Sequence, residues 1–146
     1  MFKQKFNTNT VISKRINKFV VDAEKMFIDR LIDVGRSASE YAKLNNEYTD
    51  RTYNLDSSTG FAVHLNGVLL HQEYSGIGLE GLEAGKQLAD FNGKSHEGIV
   101  VTVTAGMFYG VYVEAKGYDV LTQGSKVGRA YFLKVFNELK KLKKAK

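Results

Sequence analysis

A carboxylate and a lysine two residues apart have the spacing of half a magnesium-dependent nuclease site. In Glu114-Ala115-Lys116 the carboxylate could hold Mg²⁺ while the lysine steadies an attacking water. Such a site also needs an acidic residue on the neighbouring strand. Asp90 falls on a predicted helix, which leaves Glu97, just before that strand. We favour a salt bridge at a strand end and keep a small nuclease using Glu114 and Lys116 as an alternative.

A glycine-rich segment, residues 76–81 (GIGLEG), matches the G-x-G-x-x-G spacing of a dinucleotide-binding loop. Glu80 stands where the helix after the loop would begin, so its carboxylate would oppose a bound pyrophosphate. The strand before the loop belongs to a predicted antiparallel hairpin, whereas dinucleotide binding needs a parallel βαβ unit. We therefore interpret the segment as a flexible glycine loop and expect no nucleotide cofactor.

Two histidines provide the remaining candidate for a metal site. His64 and His71 fall on one predicted face of a hairpin, diagonal to each other and about 7–8 Å apart at Cβ. Zinc would require both rings to converge with a third ligand such as Glu73. Exposed histidines on a polar face are the simpler interpretation. The sequence contains no arrangement of serine, histidine and aspartate that is typical of an enzyme with a serine nucleophile. We therefore predict no catalytic residue, no metal, no cofactor and no enzymatic activity.

The composition excludes several classes of protein. The absence of cysteine among 146 residues excludes a disulfide scaffold, a cysteine-ligated zinc site and thiol catalysis. The length suits one domain, spanning residues 1–146. No apolar run approaches the roughly 18 residues of a membrane span, and residues 1–20 lack the apolar region of a secretory signal. We expect a soluble protein without a membrane partner.

The net charge of +5 is unevenly distributed. Residues 1–18 hold five basic and no acidic side chains, and residues 134–146 hold six lysines against Glu138, so each end carries +5. Residues 19–133 hold ten basic and fifteen acidic side chains, so the body carries −5. Basic ends on an acidic body suit head-to-tail contact between copies or contact with nucleic acid, with solvated termini as the alternative. The candidate DNA-facing or partner-facing side chains are Lys140, Lys141, Lys143, Lys144 and Lys146.

Apolar residues at three- and four-residue steps predict a long amphipathic helix over residues 11–46, after a flexible basic arm at residues 1–9. At 1.5 Å per residue this helix would be about 55 Å long. A domain of this size has a diameter on the order of 40 Å. The helix therefore either breaks near Gly35 or projects and packs on another subunit.

The middle of the chain, residues 61–115, predicts an antiparallel sheet made of two hairpins with a short helix between them. Asn66-Gly67 is the favoured type I′ turn pair of the first hairpin. Ile99–Thr104 and Phe108–Ala115 are the two strands of the second hairpin. The expected buried face of the first hairpin consists of Phe61, Val63, Leu65, Val68 and Leu70, with His64, Leu69, His71 and Glu73 on the opposite face.

The remaining elements complete an α+β fold. The short helix lies near Leu79–Phe91. A last helix over residues 125–142 leads into a lysine tail at residues 143–146. Antiparallel hairpins flanked by helices predict helices packed on one face of the sheet, with the C-terminal helix among them.

The segment Phe108–Gly124 (FYGVYVEAKGYDVLTQG) resembles the signature of the minor tail component, or tail-completion (neck), family of long-tailed bacteriophages. Members typically have a long N-terminal helix, a Thr-Gly-led strand, a variable loop, a Tyr-x-x-Tyr-Val-Glu strand followed by glycine, and a C-terminal helix. This chain has these features in the same order, although it lacks the prolines that usually precede the Thr-Gly step and the last helix. The matching positions, which are candidate interface residues, are Thr59, Gly60, Tyr109, Tyr112, Glu114 and Gly117.

The resemblance implies a structural protein of the virion, assembled in the host cytoplasm and without catalysis. It implies that copies form a ring, most often sixfold, where the head connector meets the tail tube. The implied partners are other copies, portal-side connector proteins and tail-tube proteins, with non-specific contact to the DNA that passes through the lumen. A basic-tailed module that binds nucleic acid is the other alternative, and the tyrosines of the motif could equally be core residues.

Overall fold

The protein has an α+β fold, as predicted. The computed structural model describes the backbone of residues 8–144 and the side chains of residues 10–141. Residues 1–7 of the expected basic arm, and Lys146 of the lysine tail, lie outside the described residues. The elements in chain order are α1 (Thr8–Leu44), α2 (Asn54–Ser58), β1 (Thr59–Leu65), β2 (Val68–Tyr74), α3 (Leu79–Lys94), β3 (Ile99–Ala105), α4 (Gly110–Ala115) and α5 (Thr122–Lys144).

The sheet has three antiparallel strands in the order β2-β1-β3. The β1–β2 turn is confirmed as type I′, because Asn66 and Gly67 both have positive φ, at 50° and 81°. The central strand β1 is buried on both faces. Phe61 lies against α1 on one face and His64 lies against α3 on the other. The expectation that helices cover only one face is therefore wrong.

A β-bulge changes which side chains share a face of the hairpin. Val63 pairs with His71 but the next residue, His64, pairs with Leu69, so Leu70 is an extra residue in β2. Because side chains alternate along a strand, the extra residue moves His71 and Glu73 to the face of Phe61. His64 stays on the opposite face. The predicted common face for the two histidines is wrong for this reason.

The long helix α1 is continuous through Gly35 and contains 37 residues, about 55 Å at 1.5 Å per residue. A side chain on Gly35 would collide with the ring of Phe61, which is fully buried in β1. Glycine at this position allows the helix to lie close against the sheet. The expected break near Gly35 is therefore wrong, and packing of the helix on another subunit stays a prediction.

The second hairpin is not formed, because Phe108–Ala115 contains α4 instead of a strand. Gly110 and Val113, three residues apart, both face the small core around Leu55, as one side of a helix requires. Val111 and Tyr112 between them are exposed. The aromatic and β-branched residues of this segment favour a strand locally, but a strand would have placed Gly110 and Val113 on opposite faces.

The C-terminal helix α5 packs antiparallel along α1, and not against the sheet as expected. Gly124 lies beside Ala42, and Gly128 lies beside Ala38. A methyl group on Gly128 would be 2.8 Å from Cβ of Ala38, so these small residues permit close approach of the two helices. The position of α5 leaves a gap between it and β3.

Candidate functional site

The gap between α5 and β3 is an open apolar groove of about 550 Å³, with α1 as its floor. We call it the α5–β3 groove. Its floor includes Phe27, Leu31 and Val34. Val101 of β3 and Phe132 of α5 are on the two walls. Ile99, Val101 and Val103 pair with β1 residues on the face that α1 covers, so β3 turns three apolar side chains toward the groove.

The groove is open because β3 is an edge strand. β3 pairs with β1 on one side only, and in the described part of the chain no strand pairs with its other side. The fourth strand that the sequence predicted at this edge is replaced by α4. An edge strand carries unpaired backbone N–H and C=O groups that can pair with another chain. Apolar side chains and an open strand edge therefore occur together at this surface.

A second exposed apolar surface lies at the start of α1. Ile12, Ile16 and Val20 are spaced four residues apart on one face of the helix and are 49%, 56% and 55% exposed. The contacts of Gly124 and Gly128 with α1 set an antiparallel register in which α5 ends about level with Asp22. Residues 8–22 of α1 thus extend past α5, and we call them the projecting segment.

A polar network joins α1 to β2. The guanidinium of Arg36 donates from Nε to Oε2 of Glu73 (3.0 Å) and from Nη2 to Oε1 (2.5 Å). His71 Nε2 lies 2.8 Å from the same Oε1. The hydrogen bond from Arg36 holds the pKa of Glu73 below its ordinary value. All three groups attach the helix to the sheet, and the sequence pattern did not reveal that His71 and Glu73 pair with Arg36.

Glu114 has a structural partner in α5. Its Oε1 accepts hydrogen bonds from the Thr122 hydroxyl (2.7 Å) and from the backbone N–H groups of Thr122 (3.2 Å) and Leu121 (3.3 Å). These bonds, the hydroxyl first, lower the pKa of Glu114. The carboxylate therefore caps the start of α5 in place of the expected salt bridge with Lys116. Glu97 precedes β3 and Glu114 lies in α4 after it, so the two acidic residues of the nuclease hypothesis are joined to opposite ends of a strand about 20 Å long.

The glycine motif serves close packing. The N–H of Gly78 donates to Ser57 Oγ (2.9 Å) and the N–H of Gly81 donates to Asn54 Oδ1 (3.3 Å). A side chain on Gly81 would collide with the backbone of Asn54. The N–H groups of Gly78 and Gly81 are thus occupied by α2, so the segment is a tightly packed junction and not the flexible loop that we expected.

The histidines lie in separate environments. His64 is fully buried, with Nε2 3.4 Å from Asp90 Oδ1 and its ring against Gly93. His71 lies on the other face, with its ring centroid 5.8 Å from that of Phe61. Among residues 10–141 no three acidic or histidine side chains are grouped as metal ligands.

Two of the family-motif positions are interior. Thr59 is buried at the start of β1, and its hydroxyl donates to the carbonyl of Leu55 (3.1 Å). Gly60 is buried where a side chain would collide with Tyr74. Neither residue is available to a neighbouring subunit.

The other motif positions lie around α4. The Tyr109 hydroxyl is 3.4 Å from the hydroxyl of Thr52, and the tyrosine ring is half-buried. Tyr112 is 66% exposed. Gly117 follows α4 with φ at 90°, the left-handed conformation that favours glycine at the end of a helix. Tyr112 therefore presents an exposed aromatic side chain.

The basic end of α5 includes a stacked aromatic pair. The rings of Phe132 and Phe136 are 6.1 Å apart and nearly parallel, and Lys140 Nζ lies 4.5 Å from the Phe136 centroid. Lys141 is exposed. The side chains of Lys143 and Lys144 lie outside the described residues, although the helix backbone reaches Lys144. The end of α5 thus carries Lys140 against Phe136, in line with the groove residue Phe132.

Comparison with models of protein families, with curated proteins and with solved structures found no match for this chain. In the part of the chain that the structure describes, no helix has the length and apolar character to cross a bilayer. The functional proposal is therefore based on the resemblance in the sequence and on the surfaces described above.

Proposed function

We propose that this protein is a structural subunit of a tailed bacteriophage. Its copies form a ring, most simply sixfold, at the head–tail junction of the virion. The ring joins the connector to the tail tube and leaves a lumen through which DNA passes. The α5–β3 groove is the observation that carries this proposal, because it is an apolar surface beside an open strand edge that a neighbouring subunit would cover.

A closed ring requires each subunit to have two different contact surfaces. In a cyclic ring each subunit uses one surface toward the next copy and a different surface toward the previous one. The groove supplies one surface of that kind. The acidic body and basic ends supply an electrostatic preference for head-to-tail order, since residues 19–133 carry −5 and each end carries +5.

The nuclease alternative has less support. Glu114 is engaged by three donors at the start of α5, and its nearest proposed carboxylate partner is at the other end of β3. A contact between the basic end of α5 and DNA in the lumen is compatible with the ring. It requires no base recognition, because lysines neutralise phosphates regardless of sequence.

Two neighbouring residues of α5 provide a matched test. Phe132 lines the groove and is 38% exposed, whereas Leu133 is 48% exposed and is not part of its lining. We expect wild type and Leu133→Lys to form rings in negative-stain electron microscopy and light scattering, alone or with the connector. Phe132→Lys should abolish them while its circular dichroism stays unchanged. Rings that persist in Phe132→Lys, or a wild type that never assembles under either condition, would contradict the proposal.

A further inference from the structure

We propose that two copies of this chain also pair through the start of α1, as an antiparallel helix pair whose two-fold axis passes between Lys18 and Phe19. The paired region covers residues 8–29 of each copy. This contact is separate from the α5–β3 groove and goes beyond the ring proposed above, because it joins copies through the same surface on each.

The first argument is the exposed apolar face of the projecting segment. About half of each side chain of Ile12, Ile16 and Val20 is exposed to solvent. These residues continue the same side of α1 that lower down, at Leu31 and Val34, is buried. About the proposed axis, position 16 of one copy lies level with position 21 of the other, so Ile16 is about 1.5 Å along the helix from Val20 of the other copy. A second helix would thus extend the seam that α5 covers in the body of the protein.

The second argument is the distribution of charge along the helix. Residues 8–18 carry Lys14, Arg15 and Lys18 with no acidic side chain, a charge of +3. Residues 19–29 carry three acidic side chains and one lysine, a charge of −2. An antiparallel pair places each +3 half beside a −2 half. A parallel pair would place +3 beside +3, so charge selects the antiparallel arrangement.

One charge pair fixes the register. Arg15 and Asp22 are seven residues apart, so they lie on the same flank of the apolar stripe. In an antiparallel pair, side chains on the same flank face each other. With the axis between positions 18 and 19, Arg15 of each copy faces Asp22 of the other, and the contact occurs twice.

Engineered cysteines test the direction of the pair, because the chain has no cysteine of its own. Phe19→Cys lies at the axis and should form a disulfide between copies under mild oxidation. Ile12→Cys would be about 20 Å from its counterpart, far beyond the roughly 7 Å limit between Cα atoms of a disulfide, and should not. Cross-linking of both variants would indicate a parallel pair and overturn the proposal.

A charge swap tests the register. By sedimentation of the full chain, Arg15→Glu and Asp22→Arg should each weaken dimerisation roughly tenfold, and the double variant should restore it. Arg30→Glu, at an exposed position just outside the paired region, makes the same substitution as Arg15→Glu and is the matched control. Repeating these measurements in the Phe132→Lys background, in which no ring should form, measures the α1 pair alone. The pair would be refuted if the double variant dimerised as weakly as the single variants, or if the control dimerised as weakly as Arg15→Glu. It would also be refuted if the chain stayed monomeric and bound anionic vesicles.

Discussion

Replacing Gly35 by alanine tests how closely α1 lies against the sheet. Alanine in a helix is favoured over glycine by about 1 kcal/mol, so helix propensity alone predicts a more stable protein. The new methyl group would collide with the ring of Phe61, which is fully buried. Overpacking costs about 1–3 kcal/mol, and the new Cβ would lie less than 3.0 Å from Phe61 Cδ2, which places this case in the upper part of that range, about 2–3 kcal/mol. The collision outweighs the propensity, and we expect Gly35→Ala to lower the free energy of unfolding by about 1–2 kcal/mol.

Urea unfolding followed by far-ultraviolet circular dichroism measures this difference. Ser37→Ala, two residues along the same helix, is the control, because it changes helix propensity at a half-buried position and should stabilise by about 0.5 kcal/mol. Adding Phe61→Leu removes the ring, so the alanine should cost less in that background than in wild type. A Gly35→Ala variant as stable as wild type would refute the close contact between helix and sheet.

Three further predictions concern the polar contacts and the buried histidine. Glu114→Gln should cost about 1 kcal/mol at pH 7, because the charged cap of α5 is lost. The lowered pKa of Glu114 means that its contribution is present above the ordinary value of about 4.3 and is lost as the pH falls through the folded value. Urea unfolding at pH 7 and pH 3 should therefore show a smaller acid-induced loss in the variant. Gly93→Ala should lower the melting temperature despite better helix propensity, because its methyl group would collide with the His64 ring. Arg36→Ala should cost no more than about 1 kcal/mol by urea unfolding, since the ion pair with Glu73 is part-exposed.

The long-range pattern of the sequence predicts the helices and the first hairpin well. The predicted helix over residues 11–46 corresponds to Thr8–Leu44, and the predicted last helix over 125–142 corresponds to Thr122–Lys144. Both have a strong helical period over many turns, which local variation does not obscure. Asn66-Gly67 gives the turn because both residues tolerate positive φ.

The errors have physical causes that a single sequence conceals. Residues 108–115 are too few to separate helix from strand by period, and their tertiary contacts with Leu55 and Val120 decide the outcome. The bulge at Leu70 depends on the pairing of the two strands, and no local signal marks it. The α5–β3 groove depends in turn on both the missing fourth strand and the packing of α5 on α1. The small residues four positions apart in each helix, Gly124 and Gly128 in α5 and Ala38 and Ala42 in α1, were the feature of the sequence that could have predicted this packing.

The two proposed contacts have different symmetry, and this gives them different consequences for assembly. The groove contact joins unlike surfaces, so repeating it about one axis closes a ring. The α1 pair joins like surfaces across a two-fold axis, so it cannot extend a ring and can only link one ring to another. Wherever wild-type rings form, alone or with the connector, they should therefore be paired. Phe132→Lys should remove the groove contact and leave dimers. Arg15→Glu should weaken the α1 pair and leave single rings.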